Sequence, residues 1–395
     1  MTIFLLSANP NVTFDPRNDT LRVDTASAAQ LSLIQIPQGL LISDGLHVAN
    51  LRGALLADLA LPLNIVFNDG SLLLVGDNRT GGIGDDATNI WFARDADDQV
   101  FGMGSTDFLD GGRGHDRIYG NLGNDLLFGS VGNDTLHGGQ GDDLVNGGPG
   151  DNFVHGNLGN DNLFADEGND TVFGGGGNDT ILAGGGFNLI VGDEGDDSIV
   201  GAQGATDTVF GGEGRDTINY SVLVMGNAAV IYGNAGDDLI LGGNGRDTLF
   251  GGQGRDLLTG NRGSDVLSGG LGSDTFMFQM SPNRALADTG SDSYTADVIT
   301  DFDSGRDSIK VFFSGIYSPG TSTNYVEYSD PLVTSVETAI HSHHATSKTH
   351  GFYTFIAGSS DGYLVVDTSP NGGPDLVVVL HGIRSLNQFD YTDIQ

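Results

Sequence analysis

The sequence has no cysteine and only 16 lysine and arginine residues, against 52 aspartate and glutamate residues in a chain of 395. Without cysteine, neither a disulfide nor thiol chemistry is available. The formal net charge of −36 argues against nucleic acid as a partner, because this chain and the phosphates repel each other. No apolar run reaches about 18 residues, so we expect no membrane span. The first residues, MTIFLLSANP, have no basic segment before their short apolar run, and export by a signal peptide is not expected.

Catalytic motifs are scarce as well. We find neither the HExxH motif of zinc proteases nor a P-loop, and we expect no GxSxG nucleophile elbow. The histidines His341, His343, His344 and His350 could bind zinc or copper if they converged. Their Ser/Thr-rich surroundings show no fixed helical or strand spacing, which favours an exposed polar loop. These observations predict a protein that is not an enzyme.

One nine-residue pattern recurs between Gly111 and Met277: a glycine-rich turn, an acidic residue and a short apolar triplet, as in GGRGHDRIY and GNLGNDLLF. We align 17 units, in which position six is Asp 14 times. The other three units carry Asn152, Asn188 or a one-residue slip to Asp207. The units begin at Gly111, Gly120, Gly129, Gly138, Gly147, Gly156, Ala165, Gly174, Ala183, Gly192, Gly201, Gly211, Gly233, Gly242, Gly251, Gly260 and Gly269.

This period predicts an all-β solenoid. Glycines at positions one, two and four allow turns that a Cβ would forbid, and the Asp then projects beside carbonyl oxygens. Position eight is aliphatic until Phe276, so the triplet reads as a minimal strand with its middle residue pointing inward. Two units make one coil, and residues eighteen apart should stack. Oxygen ligands of this kind suit calcium.

The units resemble the GGxGxDxUx repeat of RTX (repeats-in-toxin) proteins. The resemblance implies a right-handed parallel β-roll, with several calcium ions held between stacked turns by position-six aspartates and by carbonyls near positions two and four. The implied aspartate ligands are Asp116, Asp125, Asp134, Asp143, Asp161, Asp170, Asp179, Asp197, Asp216, Asp238, Asp247, Asp256, Asp265 and Asp274. The implied glycine positions are Gly114, Gly123, Gly132, Gly141, Gly159, Gly168, Gly177, Gly195, Gly236, Gly245, Gly254 and Gly263.

The resemblance also implies which aspartates share an ion. The expected pairs are Asp116 with Asp134, Asp125 with Asp143, Asp143 with Asp161, Asp161 with Asp179, Asp179 with Asp197, Asp238 with Asp256, Asp247 with Asp265, and Asp256 with Asp274. Asn152 and Asn188 keep an oxygen but lose a charge, so sites beside them should be weaker. About a dozen ions would cancel roughly two thirds of the net charge, at two charges per ion. We therefore expect a chain that is largely disordered without calcium and folded with it.

Composition divides the chain into residues 1–76, 77–277 and 278–395. The alternating apolar segments of residues 1–76 predict β-strands. This part of the chain is expected to cap the first coil or to serve as an assembly or anchoring module. The expected strands are Leu21–Val23, Leu31–Ile36, Leu40–Ile42, His47–Leu51, Ile65–Phe67 and Leu72–Val75, with a possible helix at Ala54–Leu61. Three imperfect repeats follow, with Asp86, Asp98 and Asp107 at position six, and Trp91 reads as a cap or packing residue.

Two features of the repeat region favour contact with a neighbour. The array is interrupted at 220–232, which reads as a calcium-free half-coil with an apolar bulge at Val222–Met225. Outward positions seven and nine also carry apolar residues, which favours a covered surface over bare ladders. On one sheet these are Leu126, Phe128, Leu144, Phe164 and Leu182, and on the other Tyr119, Phe153, Phe173, Leu189, Val191 and Phe210.

Residues 278–395 resemble the flank that closes RTX arrays, with an antiparallel cap expected from Tyr353–Ala357, Tyr363–Val366 and Leu376–Leu380. The final stretch resembles a type I secretion signal, which implies a partner ABC exporter in a Gram-negative bacterium and a secreted, extracellular location. Three functions remain open: a self-assembling S-layer-like structural protein with homo-oligomeric or two-dimensional order, an adhesin or matrix protein, and a polysaccharide-modifying enzyme. We favour the first, with cell-surface polysaccharide or lipopolysaccharide as a possible further partner.

Overall fold

The computed structural model describes residues 88–202, 206–221, 228–280 and 296–313, most of 353–394, and the backbone of further short strands. By contacts the chain divides into two compact units, Met1–Glu194 and Gly195–Gln395. The expected bulge at Val222–Met225, the histidines at 341–350, Asp86 and the possible helix at 54–61 lie outside the described residues. Among the described residues, no helix is long and apolar enough to cross a membrane.

The first unit begins with short strands and continues into stacked coils. The early strands are β1 (Thr2–Leu5), β2 (Asn11–Thr13), β3 (Asp19–Val23), β4 (Ser32–Ile36), β5 (Gly39–Ser43), β6 (Val48–Arg52), β7 (Ile65–Phe67) and β8 (Leu72–Val75). The coil strands are β9 (Ile90–Phe92), β10 (Gln99–Met103), β11 (Phe108–Asp110), β12 (Arg117–Leu122), β13 (Leu126–Phe128), β14 (Thr135–Gln140), β15 (Leu144–Asn146), β16 (Phe153–Leu158), β17 (Asn162–Phe164), β18 (Thr171–Gly176), β19 (Thr180–Leu182) and β20 (Leu189–Glu194).

The second unit continues with the same kind of coil and ends in longer strands. Its coil strands are β21 (Ser198–Val200), β22 (Thr208–Glu213), β23 (Thr217–Asn219), β24 (Val230–Ala235), β25 (Leu239–Leu241), β26 (Thr248–Gly254), β27 (Leu257–Thr259), β28 (Val266–Gly272) and β29 (Thr275–Met280). The closing strands are β30 (Asp297–Ile299), β31 (Ser308–Phe313), β32 (Ile316–Tyr317), β33 (Tyr325–Ser329), β34 (Tyr353–Ala357), β35 (Asp361–Val366) and β36 (Leu376–His381).

The coils stack in parallel with the expected period. Ile118 pairs with Leu136 on one sheet, and Leu127 pairs with Val145 on the other, so each coil is 18 residues. The slip at Asp207 and the four extra residues of the break lengthen single coils, since Ser198 pairs with Thr217 and Thr208 with Val230. The chain thus forms a parallel β-solenoid of about ten turns, and the predicted fold class is confirmed.

The core is one residue wide on each strand. The position-eight side chains from Ile118 to Phe276 are completely buried. Burial of one such aliphatic side chain contributes about 1.5–3 kcal/mol, and the strand residues on either side face outward. Trp91 pairs with Leu109 and so occupies the inward position of the first described coil, as expected of a packing residue. The coil interior is therefore held by a single apolar column per sheet.

Both ends carry extra strands. In the first unit β1, β3 and β7 pair in parallel, β8 pairs with β10, and β2, β4, β5 and β6 form a small separate sheet. Sequence reasoning found β3–β8 but missed β1 and β2. In the second unit the expected antiparallel β34–β35–β36 cap is present, and β36 pairs with β30, which extends the sheet of β28. Aromatic contacts link the last coil to this cap: the ring centroid of Phe302 lies 6.2 Å from that of Phe276 and 5.5 Å from that of Phe389, and the Phe389 ring stacks on Phe355 of β34 at 4.7 Å.

Candidate metal sites in the repeat turns

The turns of the first unit form two edges of the roll. We call the turns that precede β12, β14, β16, β18 and β20 the first edge, and those that precede β13, β15, β17 and β19 the second edge. Position six on the first edge is Asp116, Asp134, Asn152, Asp170 and Asn188, and on the second edge Asp125, Asp143, Asp161 and Asp179. All of these side chains are buried.

Position-six side chains are held in register by a hydrogen-bond ladder. The backbone N–H of Asp125 donates to Oδ1 of Asp143 at 2.7 Å, and that of Asp143 donates to Oδ1 of Asp161 at 2.7 Å. The expected pairs within each unit stack in this way, including Asp116 with Asp134 at 2.8 Å. The pair Asp179 with Asp197 joins residues of the two units and stays a prediction. One carboxylate oxygen of each ladder residue is thus used by the neighbouring coil.

The second carboxylate oxygen is the unusual feature of these turns. Oδ2 of ten described aspartates is fully buried and accepts no hydrogen bond. These residues are Asp116, Asp125, Asp134, Asp143, Asp161, Asp170, Asp216, Asp238, Asp256 and Asp274. A buried ion without a partner costs on the order of several kcal/mol. Repetition of the same unpaired carboxylate oxygen in many turns therefore fits a cation at the same place in each of them.

Carbonyl oxygens crowd the same place. A Cβ on Gly120 would lie within 3.0 Å of both Asp125 Oδ2 and the carbonyl oxygen of Gly138. At position four, a Cβ on Gly141 would overlap the carbonyl oxygen of Gly123. The implied position-four glycines have positive φ, except Gly245, which fits the need for glycine there. Among the described residues no three His, Cys, Asp or Glu side chains converge on one metal position, so backbone carbonyls would have to complete any ligand set.

Burial without a cation also changes the acidity of the turns. Desolvation raises the pKa of Asp143 to about 8, and its neighbours Asp161 and Asp125 raise it further by charge repulsion. Desolvation likewise raises the pKa of Asp134 and Asp161 to about 7 and that of Asp170 to about 6. A bound cation would reverse this effect, because it stabilises the charged carboxylate.

The asparagine turns differ from the aspartate turns in one atom. Oδ1 of Asn152 accepts the N–H of Asp134 at 2.9 Å, just as an aspartate would. Its Nδ2, however, donates to the carbonyl oxygens of Gly148 at 2.7 Å and Gly150 at 3.0 Å, which are positions two and four of its own turn. Nδ2 of Asn188 donates to the carbonyl oxygen of Ala183 at 3.1 Å. The amide thus supplies a donor where an aspartate has none.

In some other turns of the described residues, Oδ2 of the aspartate has a donor beside it. The hydroxyl of Tyr220 donates to Asp207 Oδ2 at 2.9 Å. The N–H of Gly243 donates to Asp247 Oδ2 at 2.6 Å, so Asp247 differs from the other implied ligands. In the imperfect repeats, the N–H of Arg94 reaches Asp98 Oδ2 at 3.3 Å. A cation at these positions would have to compete with an existing hydrogen bond.

Sequence reasoning missed two members of the aspartate ladder. The N–H of Asp265 donates to Asp297 Oδ1 at 3.0 Å, and the N–H of Asp274 donates to Asp307 Oδ1 at 3.1 Å. Both residues are buried and precede the fully buried Ile299 and Ile309. The Asp-x-Ile pattern could have found them, but the preceding segment breaks the nine-residue spacing.

A second ladder at position five was also missed. It is exposed and runs in the opposite direction: the N–H of Asp142 donates to Asn124 Oδ1 at 3.0 Å, and the N–H of Asn160 donates to Asp142 Oδ1 at 2.8 Å. The repeated Asn, Asp and His at position five were the available signal. In the second unit, Arg255 at position five forms an exposed ion pair with Asp237 at 2.7 Å.

The expectation of no GxSxG sequence was wrong, because Gly358–Gly362 fits that pattern. The match lies in the hairpin between β34 and β35 rather than between a strand and a helix. Ser360 Oγ donates to one oxygen of Asp361 at 2.8 Å, and His381 Nδ1 lies 2.8 Å from the other oxygen. Aspartate therefore stands between serine and histidine, whereas a catalytic triad requires histidine next to serine.

Comparison with known families agrees with the turn geometry. The model of the RTX calcium-binding nonapeptide repeat matches in nine overlapping segments: 80–118, 92–127, 119–154, 146–181, 155–190, 173–206, 182–218, 230–249 and 241–276. No curated protein matches the chain. RTX repeats are calcium-binding motifs of proteins that are typically secreted. The matches identify residues 80–218 and 230–276 as RTX calcium-binding nonapeptide repeats and support placing the chain in the RTX family.

Proposed function

We propose that this is a secreted structural protein that folds around calcium and assembles with itself at the cell surface. The observation that carries the calcium part is the set of buried Oδ2 atoms that face carbonyl oxygens and have no donor. Calcium accepts about six to eight oxygen ligands in irregular geometry, which suits such a turn. Because only the folded coil brings these oxygens together, calcium binding and folding are coupled.

Calcium dependence is tested on the full chain by native mass spectrometry and far-UV circular dichroism. With the buried aspartates ionised, at about pH 8.5, we expect EDTA to abolish the β signal and calcium to restore it, with several ions bound per chain. Magnesium at the same concentration should not restore it, because Mg²⁺ demands near-octahedral geometry and gives up its waters reluctantly. An unchanged spectrum in EDTA together with an absence of bound calcium would overturn the proposal.

Outward apolar side chains support self-assembly. Phe92 is 60% exposed, Phe187 67% and Leu271 65%, and the predicted outward residues Leu126, Leu182 and Leu189 are also exposed. Ile90, Phe108 and Leu126 stack on successive coils beside Phe92, and a contiguous set of outward apolar side chains favours contact with another surface. Strong negative charge opposes association of two copies, and calcium would relieve that repulsion.

Self-assembly is tested by calcium titration followed by light scattering and negative-stain microscopy. We expect ordered sheets or tubes above a threshold calcium concentration and none in EDTA. Phe187→Asn is a suitable variant because Asn is common at position five, so the coil should still fold while assembly weakens. A calcium-bound monomer that binds glycans would instead support a secreted adhesin or matrix protein.

We also propose export by a type I ABC exporter and attachment to cell-surface polysaccharide or lipopolysaccharide. Coupled folding supports this route, since low cytosolic calcium would leave the repeats unfolded during export. Co-expression with a type I exporter should release the full chain into the medium, whereas a chain that lacks residues 372–395 should stay inside the cell. Equal release of both chains would contradict the proposed signal.

A further inference from the structure

We propose that Asn152, Asn188 and Tyr220 are built-in replacements for the ion, so that the turns they occupy are closed without calcium. This inference rests on the proposed calcium function, because it states which turns of the array do not use the metal. It assigns to three side chains the role that a cation plays elsewhere in the same repeat.

The glycine at position one shows what occupies the same place in each turn. A Cβ on Gly120 or Gly138 would meet Oδ2 of the aspartate in that turn. A Cβ on Gly147 would instead meet Nδ2 of Asn152, at 2.8 Å. The backbone ladder on both sides of Asn152 is unchanged, because its N–H donates to Asp170 Oδ1 at 2.8 Å. Asn152 therefore preserves the turn and replaces an acceptor by a donor.

The donor of Asn152 uses the same carbonyls that an ion would need. Nδ2 contacts the carbonyl oxygens of Gly148 and Gly150, and an amide nitrogen cannot ligate a cation while it donates to these oxygens. Asn188 places its Nδ2 in the corresponding turn, where it donates to Ala183. Neither turn carries the carboxylate charge that would favour a divalent cation.

Tyr220 achieves the same result with a side chain from the break in the repeat. A Cβ on Gly201, at position one, would overlap the ring of Tyr220 rather than an aspartate oxygen. The ring is 2% exposed, and its hydroxyl donates to Asp207 Oδ2. The phenol thus fills the space in that turn and also supplies the donor.

The decisive experiment compares calcium stoichiometry in the full-length chain and its Asn152→Asp variant by native mass spectrometry. We expect the variant to bind more calcium than the parent, because it regains Oδ2 and frees the carbonyls of Gly148 and Gly150. Asn146→Asp, which makes the same charge change on an outward strand position, should leave the ion count unchanged. Equal ion counts in Asn152→Asp and its parent would overturn the inference, whereas absence of calcium from the parent would overturn the proposed function itself.

Two further measurements keep the inference testable if Asn152→Asp does not fold. A calcium-bound structure of the parent chain should show no ion on the carbonyl oxygens of Gly148 and Gly150, and an ion there would contradict the inference. In Tyr220→Phe the ring still fills the turn, so the ion count should be unchanged, while loss of the donor to Asp207 lowers the thermal midpoint. A gain of calcium in Tyr220→Phe would contradict the role assigned to the ring, which is to fill the turn and exclude the ion.

Discussion

The two edges of the first unit form the same turn with different side chains at position six. The second edge has an aspartate in each of its four turns, from Asp125 to Asp179, whereas asparagine interrupts the first edge at positions 152 and 188. Both edges share the N–H to Oδ1 ladder and the same buried apolar column. The second side-chain atom of Asn152 and Asn188 is an amide nitrogen that donates to a carbonyl oxygen, whereas that of Asp125, Asp143 and Asp161 is a buried carboxylate oxygen without a hydrogen-bond donor. The geometry of the turn is therefore independent of its demand for a cation.

The acidity of an aspartate depends on its burial and on its neighbours along the edge. The pKa of Asp143, which has an aspartate on each side along the second edge, is raised to about 8, chiefly by burial. The pKa of Asp170, which lies between two asparagines on the first edge, is raised only to about 6. Neutral neighbours reduce the charge repulsion that a cation would otherwise have to relieve. The pKa values of Asp125 and Asp179, also on the second edge, are raised to about 6, so the turn of Asp143 rather than the whole edge should depend most on calcium.

The largest effect should come from the core that both edges share. Leu163→Ala removes a fully buried position-eight side chain and should destabilise the calcium-bound fold by about 2–5 kcal/mol, because it leaves a cavity. Calcium-dependent denaturant unfolding monitored by circular dichroism measures this loss. The number of bound ions should stay the same, since neither edge is changed. A lower ion count at saturating calcium would show that calcium binding depends on the packing of the core.

A substitution that makes the second edge resemble the first should have a smaller effect. Asp143→Asn should still fold, because its amide can donate to carbonyls as Asn152 does, but it should bind less calcium than the parent. Native mass spectrometry gives the count. Asp142→Asn is the matched control, since this exposed position-five residue keeps its Oδ1 acceptor for Asn160. Equal loss of calcium in both variants would remove the distinction between the buried and the exposed ladder.

The sequence predicts the stacked turns of both edges, but it does not predict which side-chain atoms distinguish one turn from another. The nine-residue period predicted the 18-residue coil, the buried position-eight column and the stacked aspartates. It also predicted weaker sites beside Asn152 and Asn188, yet only the structure shows that their amides already occupy the carbonyls. The contact of Tyr220 with Asp207 depends on how the break folds back, which no local spacing determines. Asp297 and Asp307 escaped because an insertion displaced them from the period.

The metal-free fold should also depend on pH, through aspartates of both edges. The folded-state pKa values of Asp143, Asp161 and Asp134 lie above the ordinary value of 3.8, so the metal-free fold binds protons more tightly than the unfolded chain. This stabilisation is fully present below about pH 4 and is lost as pH rises through the folded-state values of about 7 to 8. In EDTA, the β signal should therefore be larger at pH 5 than at pH 8.5.

The pH effect can be assigned to individual aspartates by carboxyl NMR of the metal-free chain at pH values where it is folded. Asp143 should titrate at higher pH than Asp170, in line with their different neighbours. Calcium binding should strengthen over the same range, because the ion competes with protons for the carboxylates. If the metal-free fold became more stable from pH 5 to pH 8.5, the raised pKa values of the buried carboxylates would be contradicted.

The smallest effect is expected outside the buried ladders. Arg255→Ala removes an exposed ion pair with Asp237, and such pairs contribute little in water. The backbone N–H of residue 255 keeps its acceptor, because it donates to Asp237 Oδ1 at 2.8 Å in a bond that needs no arginine side chain. We expect no measurable change in thermal midpoint or ion count. Asp237→Ala removes that acceptor and should lower the thermal midpoint slightly. A larger decrease in Arg255→Ala than in Asp237→Ala would show that the ion pair, and not the backbone hydrogen bond, stabilises this position.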